Sequence, residues 1–66
     1  MELNLNDQLL TVAPEVTIPE LLNSIGSPLY GVAVAVNDTV VPRSDWELFR
    51  FSERDNVLVI KAASGG

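Results

Sequence analysis

Neither cysteine nor histidine occurs in this chain of 66 residues. The first absence excludes disulfides, thiolate metal ligands and a thiol nucleophile, and the second removes the commonest general base, so the serines have no base of the usual kind to activate them. The closest acidic pairs, Asp45 with Glu47 and Glu53 with Asp55, lie in predicted turns, and we interpret them as solvated turn residues. The sequence therefore predicts no catalytic residue, no metal site and a protein that is not an enzyme.

Basic residues are also scarce, with four Lys and Arg against nine Asp and Glu and a formal net charge of −5. The cations are scattered along the second half of the chain: Arg43, Arg50, Arg54 and Lys61. Because a nucleic-acid-binding surface needs clustered positive charge, we expect no nucleic-acid partner. The acidic balance favours a basic protein partner instead.

Long hydrophobic runs are absent, so no segment approaches the ~20 apolar residues that a transmembrane helix needs. The first residues, Met1 to Asn4, lack the basic and apolar regions of a secretory signal. We therefore expect a cytoplasmic protein with no membrane partner.

A chain of this length folds as one domain and buries roughly 60% of its unfolded surface, which is too little to enclose a substrate-sized cavity. We also expect the protein to be a monomer when it is free.

Two strands that form a hairpin are predicted at the start of the chain. Residues 1–5 alternate apolar and polar side chains, which places the apolar ones on one face of a strand. Asn6 and Asp7 follow as a turn pair, because both tolerate left-handed backbone geometry, and residues 8–12 return as a second strand.

A helix is predicted to begin at Thr17. Thr17 is the expected N-cap, Pro19 lies in the first turn, where its missing N–H costs nothing, and Glu20 completes a capping box. Gly26 supplies the left-handed residue that ends the helix. The apolar residues recur at helical spacing and are predicted to form one buried stripe: Ile18, Leu21, Leu22 and Ile25.

Two further strand patterns occupy the second half of the chain. Residues 32–36 alternate valine and alanine, and residues 39–41 continue after an Asn-Asp turn. Ser44 to Glu47 has the spacing of a second capping box and predicts a short helical turn that carries Trp46. Residues 57–60 are apolar on both faces, as is typical of a strand inside a sheet.

This order of elements predicts an α+β fold in which the last strand lies beside the first and parallel to it. It is the order of a ubiquitin-like β-grasp fold, a mixed four- to five-stranded sheet with one main helix on one face and a short helical turn near Ser44. The predicted domain covers residues 1–62, and residues 63–66 form a flexible C-terminal tail that ends in Gly65 and Gly66.

The terminal Gly65-Gly66 is the chemically distinctive feature of the sequence. Glycine has no Cβ, so a narrow channel in a partner enzyme can close around the terminal acyl carbon. A carboxylate is a poor electrophile because resonance stabilises it, whereas transfer of AMP onto its oxygen gives a mixed anhydride that a sulfur or nitrogen nucleophile can attack. We interpret the diglycine as the functional end of the chain; the alternative is a frayed terminus without a role.

A partner-docking patch is predicted beside this tail. Counting back from the tail with the period of a strand places Val57 and Val59 against the helix and Leu58 and Ile60 on the opposite face. The predicted patch consists of Leu58, Ile60, Ala33 and Ala35. Exposed contiguous apolar area usually marks a binding surface. The alternative is that a loop of this chain covers Leu58 or Ile60.

Five stretches of the chain match one known pattern. They are Asn6-Asp7, the helix start from Thr17 to Leu22, the runs Ala35-Val36-Asn37 and Val41-Pro42-Arg43-Ser44-Asp45-Trp46, and Gly65-Gly66. Together they resemble the ThiS family, the sulfur carrier proteins of bacterial thiamin biosynthesis, over the whole chain. The Val-Pro-Arg-Ser-x-Trp stretch is the most specific part, since it separates that family from ubiquitin and from the molybdopterin-synthase small subunit.

Two positions depart from the family pattern: Arg54, and Ser64, which stands where a small or apolar residue is common. Arg54 precedes Asp55 where the family usually has glycine, so the turn before the last strand must avoid or tolerate a left-handed residue. Arg43 and Trp46 we interpret as structural residues that pin the end of the fourth strand, with an interfacial role for Arg43 as the alternative.

The resemblance implies a function for the terminus. Gly66 would be adenylated by an E1-like activating enzyme of the ThiF type, and persulfide sulfur, supplied indirectly by a cysteine desulfurase or another donor, would convert it to a thiocarboxylate. A thiazole synthase of the ThiG type would take that sulfur for the thiazole ring of thiamin. ATP is then used by the partner, and no cofactor is bound by this chain. The alternatives are a carrier for molybdopterin, tRNA thiolation or cysteine synthesis, a protein modifier, and an interaction module with an inert tail.

Overall fold

The computed structural model describes residues 1–61, which contain five strands, one α-helix and one 3₁₀ turn. In chain order these are β1 (Glu2–Leu5), β2 (Gln8–Thr11), α1 (Ile18–Ser24), β3 (Val32–Val36), β4 (Thr39–Val40), the 3₁₀ turn (Arg43–Asp45) and β5 (Asn56–Lys61). The strands form one sheet in the order β2-β1-β5-β3-β4. β5 pairs in parallel with β1 and antiparallel with β3, so the predicted mixed sheet with the last strand beside the first is confirmed.

Two-residue turns of the same kind close both hairpins. Asn6 and Asp7 have φ values of 47° and 68°, and Asn37 and Asp38 have 51° and 70°. Two successive residues with positive φ make a type I′ turn, whose twist matches that of the flanking strands. Asn and Asp adopt this geometry more readily than other residues with a side chain, so both Asn-Asp pairs fix the register of their hairpins.

The helix α1 begins with the predicted capping box. The Thr17 N–H donates to Glu20 Oε1 at 2.9 Å, and the Glu20 N–H donates to Thr17 Oγ1 at 3.3 Å. The bond from the Thr17 backbone, then the bond from its hydroxyl, and finally the positive charge of Arg50 hold the pKa of the exposed Glu20 carboxyl below its ordinary value. Gly26, at a φ of 72°, follows the end of the helix as predicted.

Ile25 departs from the predicted buried stripe. Ile18, Leu21 and Leu22 are fully buried, whereas 36% of Ile25 is exposed. The helix ends at Ser24, and Ile25 is its C-cap, with φ −98° and ψ 6°. Because the backbone is no longer helical at Ile25, its side chain does not continue the buried stripe. The prediction that Ile25 belongs to the buried face is wrong.

The helical turn near Ser44 is present, but the capping box predicted for it is not. The turn spans Arg43–Asp45, and its N-cap is Pro42, which makes no side-chain capping bond. Backbone bonds close the turn instead: the Asp45 N–H donates to the Pro42 carbonyl at 2.8 Å, and the Trp46 N–H donates to the Arg43 carbonyl at 3.1 Å.

The core lies between α1 and one face of the sheet. Its fully buried side chains come from β1, the helix and β3: Leu3, Ile18, Leu21, Leu22 and Val34. Trp46 and Phe51 are 4% and 7% exposed, and Phe49 meets Phe51 edge to face with ring centres 5.2 Å apart. Burial of each large apolar side chain contributes about 1.5–3 kcal/mol, so these residues are the main source of stability.

The turn before β5 holds Arg54 in the left-handed region, at a φ of 66°. The Arg54 N–H donates to the Glu2 carbonyl at 2.7 Å, and its Nε lies 3.5 Å from Glu2 Oε1. A side chain in this conformation costs about 1–2 kcal/mol. The turn therefore tolerates a left-handed residue rather than avoiding one, and the bonds to β1 hold it there.

Candidate functional site

β5 carries the chain from the middle of the sheet to Lys61, the last described residue, which we call the tail root. On one side the Asn6 N–H donates to the Val57 carbonyl at 2.9 Å, and on the other the pairing with β3 continues until Lys61 lies opposite Val32. The position of the tail root is therefore fixed by the sheet. Gly65 and Gly66, and the predicted boundary between residues 62 and 63, lie outside the described residues.

Alternate residues of β5 face opposite sides of the sheet, as predicted. Val57 is 2% exposed and Val59 packs against the core, whereas Leu58 and Ile60 are 48% and 47% exposed. About half of each of these two side chains is open to solvent, so no loop within residues 1–61 covers them. Their role in docking stays a prediction.

Ala33 and Ala35 lie directly across from these residues on β3. Ala33 is opposite Ile60 and Ala35 is opposite Leu58. Ala33 is exposed, but only 8% of Ala35 is. The methyl group of Ala35 lies between the longer side chains of Leu58 and Val40, which are its partners on the two neighbouring strands. Ala35 therefore forms the floor of the predicted patch and not its exposed surface.

Val40 extends the patch and was missed from the sequence. It is 61% exposed and lies on the edge strand β4, opposite Ala35. The signal that could have found it is the Asn37-Asp38 pair, because a two-residue turn at that position sets the register of β3 and β4. We use the term apolar patch for Ala33, Ala35, Val40, Leu58 and Ile60.

Asparagine side chains border the apolar patch on the side of β1. Asn4 Nδ2 donates to Asn56 Oδ1 at 3.2 Å, and Asn6 Oδ1 accepts a bond from the Val59 N–H at 3.0 Å. Asn6 follows the last residue of β1, so its side chain takes the place of the strand carbonyl that Val59 would otherwise need. The amide thereby stabilises the second half of β5 on the way to the tail root.

Arg43 joins separate segments near the start of β3. Its guanidinium carbon lies 4.3 Å from the centre of the Tyr30 ring and 4.9 Å from that of Trp46, and Nη1 donates to the Leu29 carbonyl. Trp46 is buried and donates from Nε1 to the Val41 carbonyl at 3.0 Å. Arg43 and Trp46 therefore pin the end of β4, as predicted, and the contact with Tyr30 was missed.

The carboxylates around the start of β5 act within the turns. Asp55 accepts bonds from the Ser52 N–H at 2.7 Å and from Asn37 Nδ2 at 2.9 Å, and Glu53 accepts one from the Glu2 N–H at 3.0 Å. Among residues 1–61, no three Asp or Glu side chains are grouped as metal ligands would be. The same stretch has no helix of the length and hydropathy needed to cross a membrane.

Comparison with known proteins decides the family. A model of the ThiS family matches residues 1–66, which is the full length of the sequence. The chain belongs to the ThiS family. It is 32% identical over 66 residues to the sulfur carrier protein ThiS of Escherichia coli, with 100% of both chains covered. It is also similar to the crystal structure of thiamine biosynthesis protein ThiS from Geobacter metallireducens, with 26% identity, a TM-score of 0.84 and 100% of both chains covered.

Membership of the ThiS family confirms the resemblance found in the motifs, and the likeness to the Geobacter metallireducens structure confirms the ubiquitin-like β-grasp fold. Within this ThiS fold, the most specific family motif lies where β4 ends and the 3₁₀ turn begins, and its Trp46 is part of the core. The motif is therefore part of the structural framework, whereas Leu58 and Ile60 of the apolar patch lie on the open face of the sheet.

Proposed function

We propose that this chain is a sulfur carrier protein of thiamin biosynthesis and that Gly66 carries the sulfur. The observation that carries the proposal is the exit of the central strand β5 at Lys61, one residue beyond the half-exposed Ile60 of the apolar patch. The five residues that follow, Ala62 to Gly66, include no side chain larger than serine. Family membership and the name of the Escherichia coli relative support the assignment.

The proposed chemistry takes place at the terminal carboxylate. One oxygen of the Gly66 carboxylate attacks the α-phosphorus of ATP, and pyrophosphate leaves. The terminal sulfur of a persulfide then attacks the acyl carbon, AMP leaves, and a thiol cleaves the remaining S–S bond to release the thiocarboxylate. A thiocarboxylate is a soft nucleophile that is ionised at neutral pH, and its covalent attachment prevents the loss of free sulfide.

In this proposal the chain is a co-substrate and its partners are the enzymes. A ThiF-type adenylating enzyme binds the ATP, a cysteine desulfurase or another persulfide donor supplies the sulfur, and a ThiG-type thiazole synthase receives it. The composition supports this division, because the chain has neither the cysteine nor the histidine that such chemistry would use. The contribution of this chain is the acyl group and a surface that holds it in place.

The apolar patch is the proposed docking surface for these enzymes. Leu58 and Ile60 are about half exposed, and Ala33 adds a short side chain beside Ile60. A partner that covers this patch would place the tail root at one fixed position relative to its active site. Fixed placement of the reacting group lowers the entropic cost of each transfer step.

Mass spectrometry tests the proposed chemistry. The chain is incubated with the E1-like adenylating enzyme of the same organism, ATP, a persulfide donor and a thiol that cleaves the acyl disulfide, and we expect the exchange of one terminal oxygen for sulfur. Omission of ATP should prevent the exchange. A ladder of isopeptide-linked products would instead identify a protein modifier, and an unchanged mass would refute the proposal.

The control variant lacks Gly66. We expect no sulfur transfer to this variant and an unchanged free energy of unfolding, because β5 ends five residues earlier, at Lys61. Addition of a thiazole synthase then tests the pathway. Consumption of the thiocarboxylate by that enzyme supports thiamin biosynthesis, whereas transfer only to a tRNA or to a molybdopterin precursor would assign the carrier to another pathway.

A further inference from the structure

Two positively charged side chains, Lys61 at the tail root and Arg43, lie near the end of β5, although the protein as a whole is acidic. Lys61 is the last residue of β5 and lies opposite Val32 of β3. Tyr30 precedes Val32 by two residues, and the guanidinium of Arg43 lies over its ring at 4.3 Å. Two of the four cations in the chain are therefore placed where it leaves the sheet.

Neither of these two cations is neutralised within the described part of the chain. The ion pair found among residues 1–61 joins Arg54 to Glu2, at the opposite end of β5. Arg50 donates to the carbonyls of Glu47 and Phe49. The positive charge at the tail root is thus open to a partner.

The guanidinium of Arg43 has N–H donors beyond the one that bonds to Leu29. Tyr30 and Trp46 contact the guanidinium through their rings, and the N–H groups lie in the plane of the guanidinium, away from its faces. A guanidinium has five N–H donors, and among residues 1–61 the bond made by Arg43 goes from Nη1 to Leu29. The remaining donors suit a carboxylate, which an arginine binds through two parallel bonds.

Tyr30 is too exposed for its main role to be in the core. It is 77% exposed, so it contributes little apolar burial to the fold. Its ring instead holds Arg43 in one orientation, which reduces the side-chain entropy that binding would cost. Tyrosine and arginine are also the residue types most often responsible for binding energy at protein interfaces.

We propose that Arg43, oriented by Tyr30, forms with Lys61 a cationic recognition site that pairs with carboxylates on the adenylating enzyme, around the entrance for the tail. The inference rests on the proposed function, because it names the chemistry by which the first partner recognises the carrier. The net charge of −5 repels an acidic surface from the rest of the molecule. The cationic site therefore orients the approach so that the tail arrives first.

Binding of the purified chain to the E1-like adenylating enzyme of its own organism tests the site without requiring turnover. Isothermal titration calorimetry would compare Arg43→Gln and Lys61→Gln with Arg54→Gln, a matched control that removes the same charge at the opposite end of β5. We expect Kd to rise about tenfold for each of the first two variants and to stay unchanged for the control. Raised ionic strength should weaken binding of the natural chain more than binding of the double variant.

The outcomes separate the site from the proposed function. Equal Kd values for Lys61→Gln, Arg43→Gln and the control would overturn the cationic site even where the natural chain is converted to the thiocarboxylate. Charge-dependent binding without any thiocarboxylate would refute the proposed chemistry and support the site. If Arg43→Gln unfolds, Lys61→Gln still tests the site. Lys61 is exposed, and the contacts with Leu29 and Tyr30 that Arg43 makes do not depend on it.

Discussion

The indole N–H of Trp46 donates to the carbonyl oxygen of Val41 at 3.0 Å inside the core. This bond ties the end of β4 to the 3₁₀ turn and fixes the ring over which Arg43 lies at 4.9 Å. A buried hydrogen bond thus fixes the ring that the exposed guanidinium contacts. The stability of the core and the orientation of a surface cation depend on the same side chain.

Replacement of Trp46 by phenylalanine should lower the free energy of unfolding by about 2 kcal/mol, because the Val41 carbonyl loses its buried partner and the smaller ring leaves a gap. Urea denaturation followed by circular dichroism measures the change. Leu48→Ala is the control, since Leu48 is 77% exposed and should change stability by no more than about 0.5 kcal/mol. Equal stability of the phenylalanine variant and the natural chain would contradict the role given to the bond.

Removal of the N-cap hydroxyl tests the capping box of α1. Thr17→Ala should lower the free energy of unfolding by about 1 kcal/mol, because the Glu20 N–H loses its acceptor. Thr17→Ser keeps the hydroxyl and should retain most of the stability. If the alanine and serine variants unfold at the same urea concentration, the cap contributes nothing.

Glu20 gives the stability a defined dependence on pH. Its pKa in the folded state is lowered from the ordinary value of 4.5, first by the hydrogen bond from the Thr17 backbone. The stabilisation is therefore fully present above that value and is lost as the pH falls through the lower, folded pKa. Glu20→Gln should lose less stability between neutral pH and acid than the natural chain in urea titrations. An identical loss in both proteins would be the contrary result.

Arg54 allows the strain of its turn to be measured. Arg54→Gly and Arg54→Ala both remove the exposed ion pair with Glu2, but only glycine relieves the left-handed conformation at φ 66°. We expect the glycine variant to be more stable than the alanine variant by about 1 kcal/mol in urea denaturation. Greater stability of the alanine variant would show that the turn relaxes when the arginine is removed.

Truncation of the apolar patch tests its docking role. Leu58→Ala and Ile60→Ala should each weaken binding to the adenylating enzyme about tenfold, since truncation of an interface anchor commonly costs more than 1 kcal/mol. Leu9→Ala is the matched control, because Leu9 is 56% exposed but lies on the edge strand β2, away from the tail root. Weakening of equal size in the control would indicate general loss of apolar surface and not a specific site.

Local chemistry explains why much of the fold was predictable from the sequence. The Asn6-Asp7 pair adopts the positive φ angles of a type I′ hairpin turn. The side chains of Thr17 and Glu20, three residues apart, each accept a bond from the backbone N–H of the other residue. The alternation along β5 likewise assigned Leu58 and Ile60 to the open face. Each of these predictions depends on residues within a few positions of one another.

The features that escaped prediction depend on neighbours distant in the sequence or on the backbone itself. Ile25 continues the apolar spacing of α1, but the helix has ended before it. Ala35 is covered because Leu58 and Val40, on two other strands, are longer than it is. Tyr30 and Arg43 are 13 positions apart, and only the antiparallel return of β4 along β3 brings them together.

The position of β5 has a consequence for synthesis on the ribosome. β5 is the last of the five strands to be translated, yet it lies between β1 and β3 in the sheet. A nascent chain that stops before residue 56 lacks the strand that pairs with both hairpins, so the five-stranded sheet is incomplete until Lys61 has emerged. An enzyme that recognises Leu58 and Ile60 beside their strand partners would consequently ignore truncated or incompletely folded copies.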